Sequence, residues 1–322
     1  RDHPLKHLKC GNNEKVMDIS KVGLGAARGQ IHFTIGLRHF IALASSKNFN
    51  NYQLILPIYE YNRQLKQFVL FQSLDSFHAS DIKTMAMGSS VYIVLGQGVS
   101  DELGVFKNHQ TRLFKYCEET NQFRPIQTLP APILTSTEPL LTTFETTTSE
   151  GHVQYFIVES SDRNEDKSVA GVLYRFNAAT QLFEHFQTLA HPHHGFAQIV
   201  AVHIHGSTYL VCLKSTGSTA LTSPIYKQNK ATGFFETHHE LEKVCIGGGG
   251  VFADSWSIGG RTFLAVGCQL FFAGEKFGEV NIFQFERDRF KVWKTMKTKD
   301  VYGVKYFQNS NQQPTRHYLI IT

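Results

Sequence analysis

Leu173-Tyr174-Arg175-Phe176-Asn177, then Phe183, then Phe186-Gln187-Thr188-Leu189 is the stretch whose reading decides the fold. Its first part alternates apolar and polar residues, as a strand with one covered face does. The same order stands at Ile58-Tyr59-Glu60-Tyr61-Asn62, Leu113-Phe114-Lys115-Tyr116, Ile225-Tyr226-Lys227-Gln228-Asn229 and Ile282-Phe283-Gln284-Phe285. The five copies begin 55, 60, 52 and 57 residues apart. Spacing in this range marks a repeated supersecondary unit.

A second strand follows each anchor. Phe68, Phe123, Phe183 and Phe235 come ten residues after the first four. Three residues further stand Phe71-Gln72-Ser73-Leu74, Ile126-Gln127-Thr128-Leu129, Phe186-Gln187-Thr188-Leu189 and His238-His239-Glu240-Leu241. In the fifth copy both offsets shorten by two, giving Phe290 and Trp293-Lys294-Thr295-Met296. A hairpin turn tolerates that deletion; a strand does not, because a one-residue slip turns its core face outward.

Between copies lie glycine-turned hairpins: 33–43, 85–95, 202–211 and 256–266. Glycine supplies the positive φ that a two-residue hairpin requires. Each unit is therefore four antiparallel strands. One such sheet cannot bury both faces, but a ring of them can. The sequence predicts an all-β fold, a β-propeller of four-stranded antiparallel blades, spanning 1–322 as a single domain. Six blades are expected, the sixth shared by residues 1–20 and 301–322. In that blade Leu5–Lys9 and Lys15–Ile19 join a hairpin formed by Val301–Phe307 and His317–Ile321.

With 322 residues, 42% of them hydrophobic, the chain can bury a large core. No apolar run approaches a membrane span of roughly 18 residues. The chain begins at Arg1 without a signal-peptide pattern, which reads as a mature product or an excerpt. The net charge of +5 comes from 32 basic and 27 acidic residues spread thinly, not from the basic stripe of a nucleic-acid binder. The five cysteines show no CxxC spacing, which argues against a zinc site. Cys212 and Cys268 are expected to be buried thiols.

The hairpin, Φ-Tyr-x-Φ-Asn and Phe-Gln-x-Leu order resembles the EAR repeat, also called the EPTP or epitempin repeat. That repeat occurs in the leucine-rich glioma-inactivated proteins and in the thrombospondin-N-containing EAR protein. The resemblance covers essentially the whole chain, with Phe71-Gln72-Ser73-Leu74 followed by Ala79-Ser80-Asp81, and Ala253-Asp254 in a later copy. It implies seven blades as the alternative count, an extracellular or cell-surface setting, and a cation in the channel. A channel cation needs acidic residues at matching positions of adjacent blades. Beside Asp81 and Asp254 those places read Arg28, Glu138, Gln198 and Gly303, so no metal is assigned.

His191, His193, His194, His203 and His205 read as loop and rim histidines rather than metal ligands. Gly247–Gly250 leads into a strand, unlike a phosphate loop, which opens a helix after Lys-Ser/Thr. Two polar links, 98–109 and 160–168, enlarge one rim of the disc, and Asp101, Glu102, Lys107, Asp162, Arg163 and Asp166 are its candidate partner-binding residues.

The functional expectation is a non-enzymatic protein–protein interaction propeller. It has a protein partner, no catalytic residues, no cofactor, no metal, no nucleic acid and no membrane insertion. One alternative is a structural component of an extracellular or ciliary assembly. Another is a propeller enzyme with its site at the channel mouth. Three or more ionisable side chains converging on the channel wall within hydrogen-bond reach would favour the enzyme.

Overall fold

The computed structural model describes residues 27–45, 53–77, 79–100, 106–130, 140–148, 151–159, 169–190, 196–214, 222–242, 244, 251–272, 275–299, 301, 303–309 and 316–321. Every regular element among them is a β-strand. Blade 1 holds β1 (Ala27–Ile35), β2 (Arg38–Ser45), β3 (Gln53–Asn62) and β4 (Gln67–Phe77). Blade 2 holds β5 (Ala79–Met87), β6 (Ser90–Ser100), β7 (Phe106–Cys117) and β8 (Gln122–Pro130). Blade 3 holds β9 (Leu140–Thr148), β10 (Gly151–Glu159), β11 (Val169–Asn177) and β12 (Leu182–Ala190). Blade 4 holds β13 (Phe196–Ile204), β14 (Ser207–Lys214), β15 (Ser223–Gln228) and β16 (Phe235–Leu241). Blade 5 holds β17 (Val251–Ile258), β18 (Arg261–Phe272), β19 (Glu275–Glu286) and β20 (Arg289–Thr298). A two-stranded sheet, β21 (Val304–Asn309) and β22 (Arg316–Ile321), follows.

Within each blade the strands pair in chain order and antiparallel, and the chain is a β-propeller of four-stranded blades. The first strand of each blade packs against the first strand of the next, from β1 through β21. The anchor motifs are the third strands and the Phe-Gln-x-Leu motifs the fourth. Leu5–Lys9 and Lys15–Ile19 lie outside the described residues, so closure of the sixth blade does too. The predicted hairpin before the C-terminus forms, with Val304 opposite Ile321.

Sheets pack face to face through apolar clusters, each joining two neighbouring blades. Ile58 and Phe40 of blade 1 meet Ile93 and Phe114 of blade 2; Val94 and Leu113 meet Phe156 and Val158 of blade 3. The aromatic positions of the repeat are consumed here: Phe123, Phe183 and Phe235 are all buried. Burying such a side chain contributes roughly 1.5–3 kcal/mol.

The Gln of Phe-Gln-x-Leu ties one blade to the next. Gln72 donates to the Phe123 carbonyl at 2.9 Å and accepts from its N–H at 2.8 Å. Gln127 does the same to Phe183 at 2.7 and 2.9 Å, and Gln187 to Phe235 at 2.8 and 2.9 Å. The repeat's two signature residues are thus partners across a blade junction.

Cys212 is a buried free thiol, as expected, but Cys268 is disulfide-bonded. Cys117 is also free. Cys268 stands within β18, opposite Val251, the first residue of β17. No helix among the described residues is long and apolar enough to cross a membrane.

Candidate functional site

The first strands carry one polar position at a common register from their turns. Gly29, Asp81, Thr142 and Gln198 stand there, opposite Ala44, Gly96, Ile157 and Leu213. The register selects Gly29 and Thr142 where Arg28 and Glu138 were expected; Gln198 is as expected. Each polar member reaches the main chain of the following blade. Asp81 Oδ2 accepts from Leu141 N at 2.9 Å. Gln198 accepts from Ala253 N at 2.8 Å and donates to Ala253 O at 3.2 Å. Gly29 is required by close approach, since a Cβ there would lie 3.3 Å from Asp81 Cα and Oδ1. Asp254 serves the last junction, accepting from Tyr306 N at 2.8 Å beside Lys305 at 3.2 Å.

Ionisable groups gather where blades 2, 3 and 4 meet. Asp81, 9% exposed, accepts from Ile82 N and from Lys83 Nζ through both oxygens, each at 2.8 Å. All its contacts are donors, which suits a carboxylate. Glu159, the last residue of β10, is 1% exposed, and burial pushes its carboxyl up to about 8. The nearby Asp81 charge pushes the same way; Thr142, Lys83 and the Ile199 amide oppose it.

The hydrogen bonds assign the proton independently. Thr142 Oγ1 lies 2.6 Å from Glu159 Oε1 and 2.7 Å from Ile199 O. A hydroxyl has one proton, and a carbonyl can only accept. Both contacts are satisfied when Thr142 donates to Ile199 O and a protonated Glu159 donates to Thr142. Glu159 Oε2 then accepts from Ile199 N at 3.0 Å. A carboxyl held neutral by burial and an ion-paired carboxylate thus lie near enough to interact electrostatically, the first hydrogen-bonded to Thr142, which is only partly buried.

Asp101, Glu102, Asp162, Arg163 and Asp166 lie outside the described residues, and Lys107 is described only as backbone of β7. His191, His193, His194 and the Gly247–Gly250 run are outside them as well. Of the other histidines, His203 Nδ1 lies 3.1 Å from Thr208 Oγ1. Among the described residues no group of three or more His, Cys, Asp or Glu is arranged to hold a metal.

Sequence reading reached Asp81 through the family resemblance but passed over Glu159, Thr142 and Lys83. Glu159 ends the apolar run Tyr155-Phe156-Ile157-Val158, so it reads as the polar start of a loop. The available signal was the run of threonines in β9, polar residues on an innermost strand.

No family model matches the chain, and no curated protein matches it. Solved structures of similar fold include YjhT, with 10% identity and a TM-score of 0.48, covering 83% of each chain. The GH32 β-fructofuranosidase BmSUC1 of Bombyx mori has 12% identity and a TM-score of 0.46; the match covers 84% of this chain and 62% of that one. An exo-β-1,3-galactanase of Phanerochaete chrysosporium has 9% identity and a TM-score of 0.46, covering 88% and 69%. The chain thus spans less than two thirds of the Bombyx mori protein.

The expectation of a non-enzymatic interaction module is corrected by the comparison, since the solved structures of similar fold include glycoside hydrolases. Those structures bear on the fold; the chemistry is argued from this chain's residues.

Proposed function

We propose that the chain is a hydrolase acting on glycosidic or similar acetal bonds, with its site at the channel end of blades 2 to 4. One observation carries the reading: a buried Glu159 hydrogen-bonded to Thr142, and an ion-paired Asp81 near enough to act on it electrostatically. Acetal cleavage needs a proton on the departing oxygen and negative charge near the carbon that becomes cationic. A pair of carboxyl groups in opposite protonation states provides both. In this reading the Thr142 hydroxyl turns its proton from Ile199 O to the departing oxygen as it takes the Glu159 proton; water then adds to the carbon and its released proton restores Glu159. Asp81 supplies the charge, fixed by Lys83 and two main-chain amides.

The proposal includes an extracellular or cell-surface setting. The Cys268 disulfide supports it, because such bridges persist in oxidising compartments. The likeness of the Phe-Gln-x-Leu units to EAR repeats is kept as a proposal about the lineage of the repeat.

The test is release of aryl leaving groups from a panel of chromogenic glycosides. Glu159→Gln preserves shape and both hydrogen bonds, so its fold is retained while its proton is lost. The expected result is turnover in the parent chain, falling as pH rises past about 8, and its loss in Glu159→Gln. Absence of turnover across the panel, or full turnover in Glu159→Gln, overturns the reading.

A further inference from the structure

The hairpin formed by β9 and β10 has a second end, and it opens onto a different surface. His152 and Glu159 are separated by seven residues of β10, on the order of 23 Å at strand rise. The turn end therefore belongs to the face opposite the carboxyl pair.

On that face the junctions between blades differ. Between blades 1 and 2, Arg38 fills the gap. It pairs with Glu60 at 2.7 and 2.8 Å and donates to Asn121 at 2.7 Å and to Tyr116 at 3.1 Å. Between blades 4 and 5, Asp288 fills it, with Tyr209 donating at 2.8 Å and Lys227 at 3.1 Å. At the register of Arg38, blades 2 and 3 carry Ser90 and Gly151, which cannot reach across. Two hollows open there, of about 850 Å³ between blades 2 and 3 and about 820 Å³ between blades 3 and 4. Both are lined by Glu145 and His152 of the β9–β10 hairpin, so the two hollows adjoin there and are taken together as a trough.

We propose that this trough binds a neutral oligosaccharide chain, separately from the carboxyl pair. Its floor and rim offer the two contacts a sugar ring uses: flat aromatic faces for C–H groups and paired polar groups for hydroxyls. Phe186 lines the trough, with the Arg175 guanidinium 5.5 Å above its ring. Phe234, 44% exposed, stacks on Phe186 at 4.7 Å beside the first hollow; with Phe186 covered by Phe234 and Arg175, the exposed Phe234 ring is the aromatic surface available to a sugar. Glu145 and Glu184 are exposed acceptors: Oε2 of Glu145 accepts from Gln154 at 2.7 Å and Oε1 of Glu184 from Asn177 at 2.9 Å, which leaves the other oxygen of each to take a sugar hydroxyl. Arg175 and Lys230 balance their charge, so the trough has no single sign of field and selects a neutral chain over an anionic or cationic one. Its length over two junctions suits several sugar units.

The test is retardation of the full chain in native gels containing xylan, arabinan, levan or β-1,3-glucan. At least one should retard the parent protein. Phe234→Ala and Glu145→Gln should each weaken that retardation by about fivefold, the order of one lost contact. Both sites are exposed, and unchanged thermal unfolding verifies their folds. Glu159→Gln should migrate like the parent, which separates this site from the hydrolytic reading: retardation without turnover sinks only the latter. The trough proposal is overturned if no polysaccharide retards the parent. It is also overturned if the double variant is retarded equally, or if Glu159→Gln alone abolishes retardation.

Discussion

Three blade junctions carry the Gln-to-Phe tie, and the fourth carries a histidine in its place. Gln72, Gln127 and Gln187 each make two hydrogen bonds to the main chain of the next fourth strand. His239 occupies that motif position in blade 4, where Phe290 is the counterpart in blade 5. Both ring nitrogens of His239 are buried without a hydrogen-bond partner among the described residues. An imidazole cannot donate and accept side by side as an amide does. The blade 4–5 junction is held instead at its rim, where Asp288 gathers Tyr209, Lys227 and His238. The fourth strands are thus tied through the main chain where the motif is intact and through rim side chains where it is not, while Gln198 ties the first strands of blades 4 and 5.

The largest expected effect comes from breaking an intact tie. Gln127→Ala leaves the Phe183 N–H and C=O without their partners at a packed junction. Stranding such groups costs about 2–3 kcal/mol in total. The midpoint of denaturant unfolding measures it, against His239→Ala, which removes no hydrogen bond and should cost less. Equal losses in the two variants would mean the tie contributes nothing beyond packing.

Acid and base should act on the two regions with opposite sign. Burial first, then the neighbouring His238 and Arg289 charges, lower the His239 pKa to about 4 from 6.5, with Asp288 opposing. The unfolded chain therefore holds a proton that the folded chain lacks, and stability falls as pH drops through that window. Glu159 is raised from 4.5 to about 8, so the folded chain holds the extra proton and stability falls as pH rises through that range. The slopes oppose each other between 4.5 and 6.5; only the Glu159 decline remains from 6.5 to about 8. Thermal midpoints across pH should lose the alkaline decline in Glu159→Gln and the acid decline in His239→Gln. A parent-like profile in either variant removes that group as the source.

How much of this was legible in sequence follows from where each partner lies. The repeat showed because Phe123, Phe183 and Phe235 are buried, and burial leaves an apolar pattern at fixed spacing. Gln127 was visible as a motif member, but its bond is to Phe183, 56 residues away in the next copy, and no local pattern records such a pairing. The carboxyl pair was hidden for the same reason. Asp81, Thr142, Glu159 and Ile199 come from three blades, and only the common register of first strands brings them together.

Restoring the motif is a smaller change than breaking it. His239→Gln places an amide opposite the Phe290 main chain and removes two buried, unpaired nitrogens. The expected gain is about 1 kcal/mol, the net worth of a typical hydrogen bond. A loss of stability would show that blade 5 stands too far away to be tied, a difference in junction geometry rather than in residue.

The smallest effect is expected at the ionic substitute. Lys227 is 35% and Asp288 52% exposed, and their contact is 3.1 Å. Water screens such a pair, and ordering two flexible side chains offsets much of the attraction. The Lys227 ammonium also lies 5.3 Å over the Tyr209 ring, a contact for which methionine substitutes a sulfur–aromatic one. Lys227→Met should therefore shift stability by no more than about 0.5 kcal/mol, and by less in high salt. Tyr209→Phe removes a 2.8 Å bond to Asp288 from a side chain only 3% exposed and should cost more. If Lys227→Met instead cost as much as Gln127→Ala, the rim pair would be equal in strength to the main-chain tie. The fourth junction would then be differently held, not more weakly held, than the other three.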